Sequence, residues 1–261
     1  MTAVGTASTP TPRTVKSAER TLRLLEIVST APTGMTMTDL HRLSGYPRSS
    51  LHHLIKTMAA SDWLSVHADG SRMAIGPRAL VAGTSYLDHD AALEFAVPAI
   101  EALRTRVGYT THYARLHGSN VLYLATREAS QRAASRVGRF LPAHATALGK
   151  VLLAERSPAE LEMLLRDELV ALTPLTITDG VDLERELEEI RAIGASSERE
   201  ENTMGVACVA ASVGYRIPAT DAMSCSIPIG AATASEVARV MTEVRVASMR
   251  LATALRSRGV R

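Results

Sequence analysis

Apolar residues at helical spacing, Ala18, Leu22, Leu25 and Val28, widened by Leu24 and Ile27, predict a helix over residues 14–29. Pro32 and Gly34 interrupt the pattern. Thr38 is then expected to cap a short helix over 39–43, with Asp39 at the positive end of its dipole. Ser44-Gly45-Tyr46 forms a tight turn, and Pro47 opens a third helix. There Leu51, Leu54, Ile55 and Met58 fall at i, i+3, i+4 and i+7, a buried face. Arg48, Ser49, His52, His53 and Lys56 share the other side. Two short helices joined by a glycine-containing turn are a helix-turn-helix pattern. Leu64 and Val66, then Met73 and Ile75, alternate with other residues on either side of Asp69-Gly70, which reads as a two-residue hairpin turn and hence a wing. Gly76-Pro77 ends the wing, and a connecting helix is expected from residue 78 to about 90.

Beyond it the pattern alternates between the two periods. Helices are predicted over 97–107, 145–154, 183–193 (stopped by Gly194) and 235–257. Strands are predicted over 110–116 and 121–126, joined through His117-Gly118-Ser119-Asn120, and over 206–213 and 223–229. Period-two alternation places the hydroxyls of Ser224 and Ser226 on one sheet face. The fold class is α+β, with a sheet expected to be covered by helices mainly on one face.

Composition narrows the class. With 261 residues two domains are the better expectation, and 46% hydrophobic with 21% charged residues excludes a disordered or fibrous chain. No apolar run approaches the roughly 20 residues that span a bilayer. Residues 1–12, rich in Thr, Ala, Ser and Pro, lack the apolar core of a secretory signal and are expected to be a disordered tail. Cys208 and Cys225 offer neither a disulfide framework nor zinc spacing, so the reading is a cytoplasmic protein without a metal. Charge is divided unevenly. Through Arg78 there are nine basic and five acidic side chains, a net +4, which leaves −2 for the rest of a chain whose total is +2. A small basic module joined to a mildly acidic one fits nucleic-acid binding plus a separate sensor.

The candidate chemistry follows that division. Arg48, in the first turn of the third helix, suits a bidentate contact to guanine. Ser49 and Ser50 suit phosphates or base edges, and His52, His53 and Lys56 extend the polar face. Arg72 is placed in the wing, for a minor groove or the backbone. In the C-terminal part, the small residues and helix start around 142–150 let backbone N–H groups approach an anion, without the glycine spacing of a P-loop. One alternative is an enzyme with Cys208 as nucleophile and His144 or His112 as base, but no such pair stands at a telling spacing. Catalytic residues and cofactors are therefore assigned as none. A winged helix that binds proteins alone is the other alternative.

The chain resembles the IclR family of bacterial regulators from about Val15 to Arg256. The resemblance rests on Pro47-Arg48-Ser49-Ser50-Leu51-His52, on 143–150, on 173–178, on Glu201 with 205–211, and on Ser224-Cys225-Ser226, five segments in the same order. It implies a winged helix-turn-helix over 13–76, a linker helix over 77–92, and a GAF-like α/β effector-binding domain over 93–261. It implies homodimers or homotetramers that bind palindromic double-stranded operators and respond to small organic acids or related metabolites. Residue by residue, it places the effector pocket on Ala147, Leu148, Glu198, Cys208, Ser224 and Ser226. Two positions depart from the family: His53 stands where arginine is usual, and Glu198 is longer than the short polar residue often found there.

Overall fold

The computed structural model describes residues 15–129 and 137–260, so the tail expected at 1–12 lies outside the described residues. The chain forms two compact units that divide between Tyr86 and Leu87.

In the first unit α1 (Lys16–Ser29), α2 (Met37–Ser44) and α3 (Arg48–Ala60) enclose a core of Leu24, Ile27, Val28, Leu40, Leu51, Ile55 and Met58. The buried stripe of α1 is rotated from the expected one: Ala18 and Leu22 are exposed, and Leu24, Ile27 and Val28 face α2 and α3. The cap of α2 is Thr36, not Thr38. Its hydroxyl accepts from the Asp39 amide at 3.1 Å while the Asp39 carboxylate accepts from the Thr36 amide at 3.2 Å, a reciprocal box that needs a spacing of three. Gly45, at φ +68°, ends the helix.

Strands β1 (Leu64–Val66) and β2 (Met73–Ile75) pair antiparallel as the wing, with Leu64 and Met73 in the core. The turn is longer than two residues. The His67 amide donates to the Arg72 carbonyl at 2.9 Å, which closes a loop over 68–71. Within it the Asp69 carboxylate accepts from the Ser71 amide at 2.9 Å, so Asp69 organises an open loop instead of forming a hairpin tip with Gly70. Helix α4 (Pro77–Asp88) follows, and none of its residues is buried.

The second unit is built on six antiparallel strands in the order β5-β4-β3-β8-β7-β6: β3 (Thr110–His117), β4 (Asn120–Arg127), β5 (Phe140–Pro142), β6 (Ser196–Arg199), β7 (Val206–Ser212) and β8 (Asp221–Pro228). Helices cover both faces, which corrects the expectation of a sheet covered mainly on one. Helices α5 (Leu93–Val107) and α9 (Ala234–Ser257) pack on Tyr113, Val209, Met223, Cys225 and Ile227. Helices α6 (Ala147–Ala154), α7 (Pro158–Leu164) and α8 (Gly180–Ile193) pack with Ala114, Tyr123, Ala210 and Ala222 on the other side. Small residues dominate that second face, so its strands do not read as apolar on both sides although they are buried on both. The close approach of α6 has one strict requirement: a Cβ at Gly149 would lie 2.1 Å from the Ala143 carbonyl oxygen.

Candidate functional site

Packing of Leu51, Ile55 and Met58 inward turns Arg48, Ser49, His52, His53 and Lys56 outward on α3, where all five are exposed. Two expected members behave differently. Ser50 is half-buried and accepts from Arg20 Nη1 at 3.3 Å, so its hydroxyl belongs to the α1–α3 contact and not to the open face. Arg72 is exposed, but its Nη1 donates to the Gly34 carbonyl at 3.0 Å, which ties the wing to the loop after α1. The Arg20 guanidinium also lies 5.0 Å from the Tyr46 ring centroid, over the turn that precedes α3. Arg20 thus fixes the entry of the helix, a role that no sequence motif marks.

The second constellation lies between α6 and the sheet. Ala147, Leu148, Glu198, Cys208, Ser224 and Ser226 all line one pocket, together with Tyr123, Thr146, Asn202 and Thr203. Its free volume is about 10 Å³, roughly one water-sized sphere. The geometry begins at Thr146, whose hydroxyl accepts from the Gly149 amide at 3.0 Å and so caps α6. Ala147 and Leu148 follow in the first turn, where an α-helix has no acceptor of its own for the backbone N–H. Strand register aligns the opposite wall: Glu198 pairs with Cys208, and Cys208 with Ser226. Cys208 Sγ and Ser226 Oγ are 3.4 Å apart. Glu198 accepts from the Glu201 amide at 2.9 Å, and its burial pushes the carboxyl above the usual carboxylate range.

A buried ion cluster holds this wall. Lys150 is fully buried on α6 and donates to Glu201 at 2.7 Å and Glu186 at 2.8 Å. Burial pushes the Glu201 carboxyl up, against the downward pull of Lys150. Thr176 donates to the Glu201 carbonyl at 2.6 Å, Thr173 to the Glu200 carbonyl at 2.7 Å, and Ser196 to the Ala147 carbonyl at 2.5 Å. The segments around 143–150, 173–178 and 198–201 are therefore one hydrogen-bonded unit. Lys150 and Thr176 were missed as supports of the pocket. Their signal was present, since a lysine in an otherwise apolar helix implies a buried carboxylate partner elsewhere.

The arrangement does not assemble a Cys–His nucleophile with His144. His144 Nε2 lies 3.1 Å from the Val170 carbonyl, and burial lowers its pKa. Cys225 sits in the opposite core, where burial pushes its thiol up to about 12. Among the described residues no group of three or more His, Cys, Asp or Glu is placed to hold a metal ion, and no helix is long and apolar enough to cross a membrane.

Comparison with known proteins joins the two constellations. The bacterial transcriptional regulator IclR C-terminal model matches residues 84–253, and the IclR helix-turn-helix domain matches residues 17–67. This chain belongs to the IclR family. The HTH-type transcriptional regulator XynR of Escherichia coli K12 is 31% identical over 245 residues, which are 92% of this chain and 97% of XynR. The transcriptional repressor IclR of the same strain is 30% identical over 212 residues, 79% of this chain and 77% of the repressor. Among solved structures, an IclR homologue from Microbacterium hydrocarbonoxydans complexed with 4-hydroxybenzoate superposes with a TM-score of 0.77 at 25% identity, covering 92% of this chain and 99% of that one. A regulator from Alicyclobacillus acidocaldarius shares the fold with a TM-score of 0.79 at 21% identity, over 92% and 99% of the two chains. As an IclR-family member the chain is a transcription regulator with an N-terminal helix-turn-helix DNA-binding domain and a C-terminal effector-binding domain.

Proposed function

We propose that this regulator binds a specific palindromic operator as a homodimer or homotetramer, and that a small organic acid held between α6 and the sheet sets its operator affinity. The observation that carries this reading is the convergence of Ala147, Leu148, Glu198, Cys208, Ser224 and Ser226 on one pocket at the start of α6. The Ala147 and Leu148 amides and the positive helix end suit a carboxylate. Ser224 and Ser226 supply hydroxyl donors, and Cys208 a small apolar wall. A neutral Glu198 donates a hydrogen bond where an ionised one repels. The aromatic acid bound to the Microbacterium homologue supports an organic acid as the ligand class.

A pocket with about 10 Å³ of free space admits no metabolite as it stands. Ligand binding on this reading moves a wall, and a ligand that favours the opened form biases the protein between two states. On the DNA side, Arg48 reads a guanine edge, and Ser49, His52, His53 and Lys56 engage phosphates or neighbouring bases. Arg72 steadies the wing, and Ser50 the helix.

The test is a fluorescence-anisotropy titration of promoter fragments across a salt series, repeated with small organic acids first selected by thermal shift. Specific binding that weakens steeply with salt and changes with one of those acids is expected. Weak, sequence-blind association at physiological salt, unaltered by any acid that raises the melting temperature, sinks the reading.

A further inference from the structure

The exposed side of α3 presents mainly donors, and one ring nitrogen on it is different. His53 Nδ1 lies 2.8 Å from the backbone carbonyl oxygen of Ser49, one turn earlier on the same helix. A carbonyl oxygen only accepts, so Nδ1 carries a proton and donates it to this bond. The oxygen has a lone pair free for it besides the one engaged by the helical ladder. A neutral imidazole holds a single N–H, so Nε2, on the far side of the ring, is left as an acceptor. His53 is exposed, and among the described residues no group bonds Nε2. The backbone of α3 thus sets the tautomer and leaves a lone pair on the outer side.

The neighbouring groups do not duplicate it. Arg48 and Lys56 can only donate, and the Ser49 hydroxyl turns either way. The Thr57 hydroxyl donates to the His53 carbonyl at 2.9 Å. His52, edge-on to His53 with 6.2 Å between ring centroids, makes no backbone bond among the described residues that fixes its tautomer. Helix α3 contains no aspartate or glutamate. On a duplex, phosphate oxygens only accept, so the outer nitrogen of a neutral ring held in this way has no proton to give them. The donors in the major groove are the exocyclic amines, N4 of cytosine and N6 of adenine. His53 stands one turn beyond Ser49, next to the first-turn residues that reach base edges in helix-turn-helix proteins.

We propose that His53 is a specificity-determining residue for the operator, and that its Nε2 accepts a hydrogen bond from the exocyclic amine of a cytosine or an adenine. The proposal rests on the assignment of α3 as the DNA-reading helix given above and adds what this position selects. The arginine usual here in the family presents only donors, which match guanine O6 and N7. His53 inverts that preference. Guanine and thymine show it acceptors alone, which set lone pair against lone pair.

The test is run at about pH 8, where a solvent-exposed imidazole is neutral. Sequences bound by the full-length protein are selected from random duplexes, and the selected site is remade with single base groups deleted. Purine in place of adenine, or pyrimidin-2-one in place of cytosine, removes one exocyclic amine. The 7-deaza forms of guanine and adenine each remove one acceptor. Every duplex is titrated with wild type and with His53→Ala, so that effects on the duplex itself cancel. Loss of one amine in each half-site is expected to weaken wild type about tenfold more than His53→Ala, the value of one hydrogen bond. Selection repeated with His53→Arg should return guanine in place of that cytosine or adenine. Coupling of His53 to a deleted N7 instead shows a donating ring and overturns the proposal. Coupling to none of the deleted groups, the result expected of a phosphate contact, overturns it as well. Both outcomes leave the operator reading standing, because a specific site has been selected. If wild type selects no sequence, that reading fails and the proposal falls with it.

Discussion

Lys150 concentrates the electrostatic cost of the second unit in one side chain: it is fully buried and has carboxylates at 2.7 and 2.8 Å. Lys150→Met keeps the length of the side chain but leaves Glu201 with no opposite charge, and breaking a buried pair in this way costs about 3–5 kcal/mol. Urea unfolding should show a loss of that size, and Glu201→Gln in the same background should return part of it. An unchanged midpoint removes Lys150 from the supports of the site. Glu198 makes a prediction of opposite character. Burial raises its folded carboxyl above the ordinary value of 4.5, so the folded chain holds a proton that the unfolded chain has released. Its contribution is fully present below about 4.5 and is lost as pH rises through the folded value. The melting temperature of wild type minus that of Glu198→Gln should fall as pH climbs from 4.5, and a pH-independent difference refutes the burial argument. At this scale the sequence was informative about residue type and silent about partners. Ser224 and Ser226 could be placed on one face from alternation alone. That Ser50 serves Arg20, or that His112 stands opposite Ser224, depends on helix packing and strand register that only the folded chain sets.

Helices α3 and α6 are the two elements on which the proposed function rests, and they differ in how they can be broken. The exposed side of α3 contributes nothing to the core, so Arg48→Ala should leave melting and oligomeric mass unchanged while operator affinity drops by about 1–3 kcal/mol, the worth of one bidentate base contact. Equal operator binding by the variant removes Arg48 from the reading face. Helix α6 is held by close backbone approach, and Gly149→Ala sets a Cβ 2.1 Å from the Ala143 carbonyl oxygen, where no flexible side chain can yield. That variant should lose about 1–3 kcal/mol of stability through overpacking, and with it the ligand-induced rise in melting temperature. Long periodic elements were legible beforehand: α3, α8 and α9, and the strands that became β3, β4, β7 and β8, lie within a few residues of their expected bounds. β5 and β6 were not, being three and four residues long, and β6 reads Ser-Ser-Glu-Arg with no apolar alternation to detect. α7 escaped for the same reason, a seven-residue helix announced mainly by the Ser157–Glu160 capping box. Covering helices on both sheet faces went unseen because alanines fill the α6 side, and alanine carries little periodic signal.

At the scale of the whole molecule, α4 has no account within a single chain. Its twelve residues include none that is buried, and Leu80, Val81 and Tyr86 are 68%, 63% and 50% exposed. A helix this short is marginal in water without tertiary packing, and an apolar cluster on it is the kind of surface a soluble protein covers. On the proposed homo-oligomeric reading, a second copy of the chain is the cover that would also serve the DNA side, because a two-fold dimer presents two copies of α3 to the two halves of a palindrome. Both monomers then contribute to binding, and the second contact is made at the high effective concentration that linkage provides. The paired substitution Leu80→Glu with Val81→Glu adds two charges to that surface and removes no buried contact of the monomer. Light scattering after size exclusion should show a shift to monomer mass with the melting of the C-terminal unit retained. Operator affinity should fall by about a hundredfold or more, as linked half-sites become independent ones, while half-site affinity stays as it was. If mass and operator affinity both persist in the double variant, the α4 surface is not where two copies meet, and the assembly that reads the operator is built elsewhere on the chain.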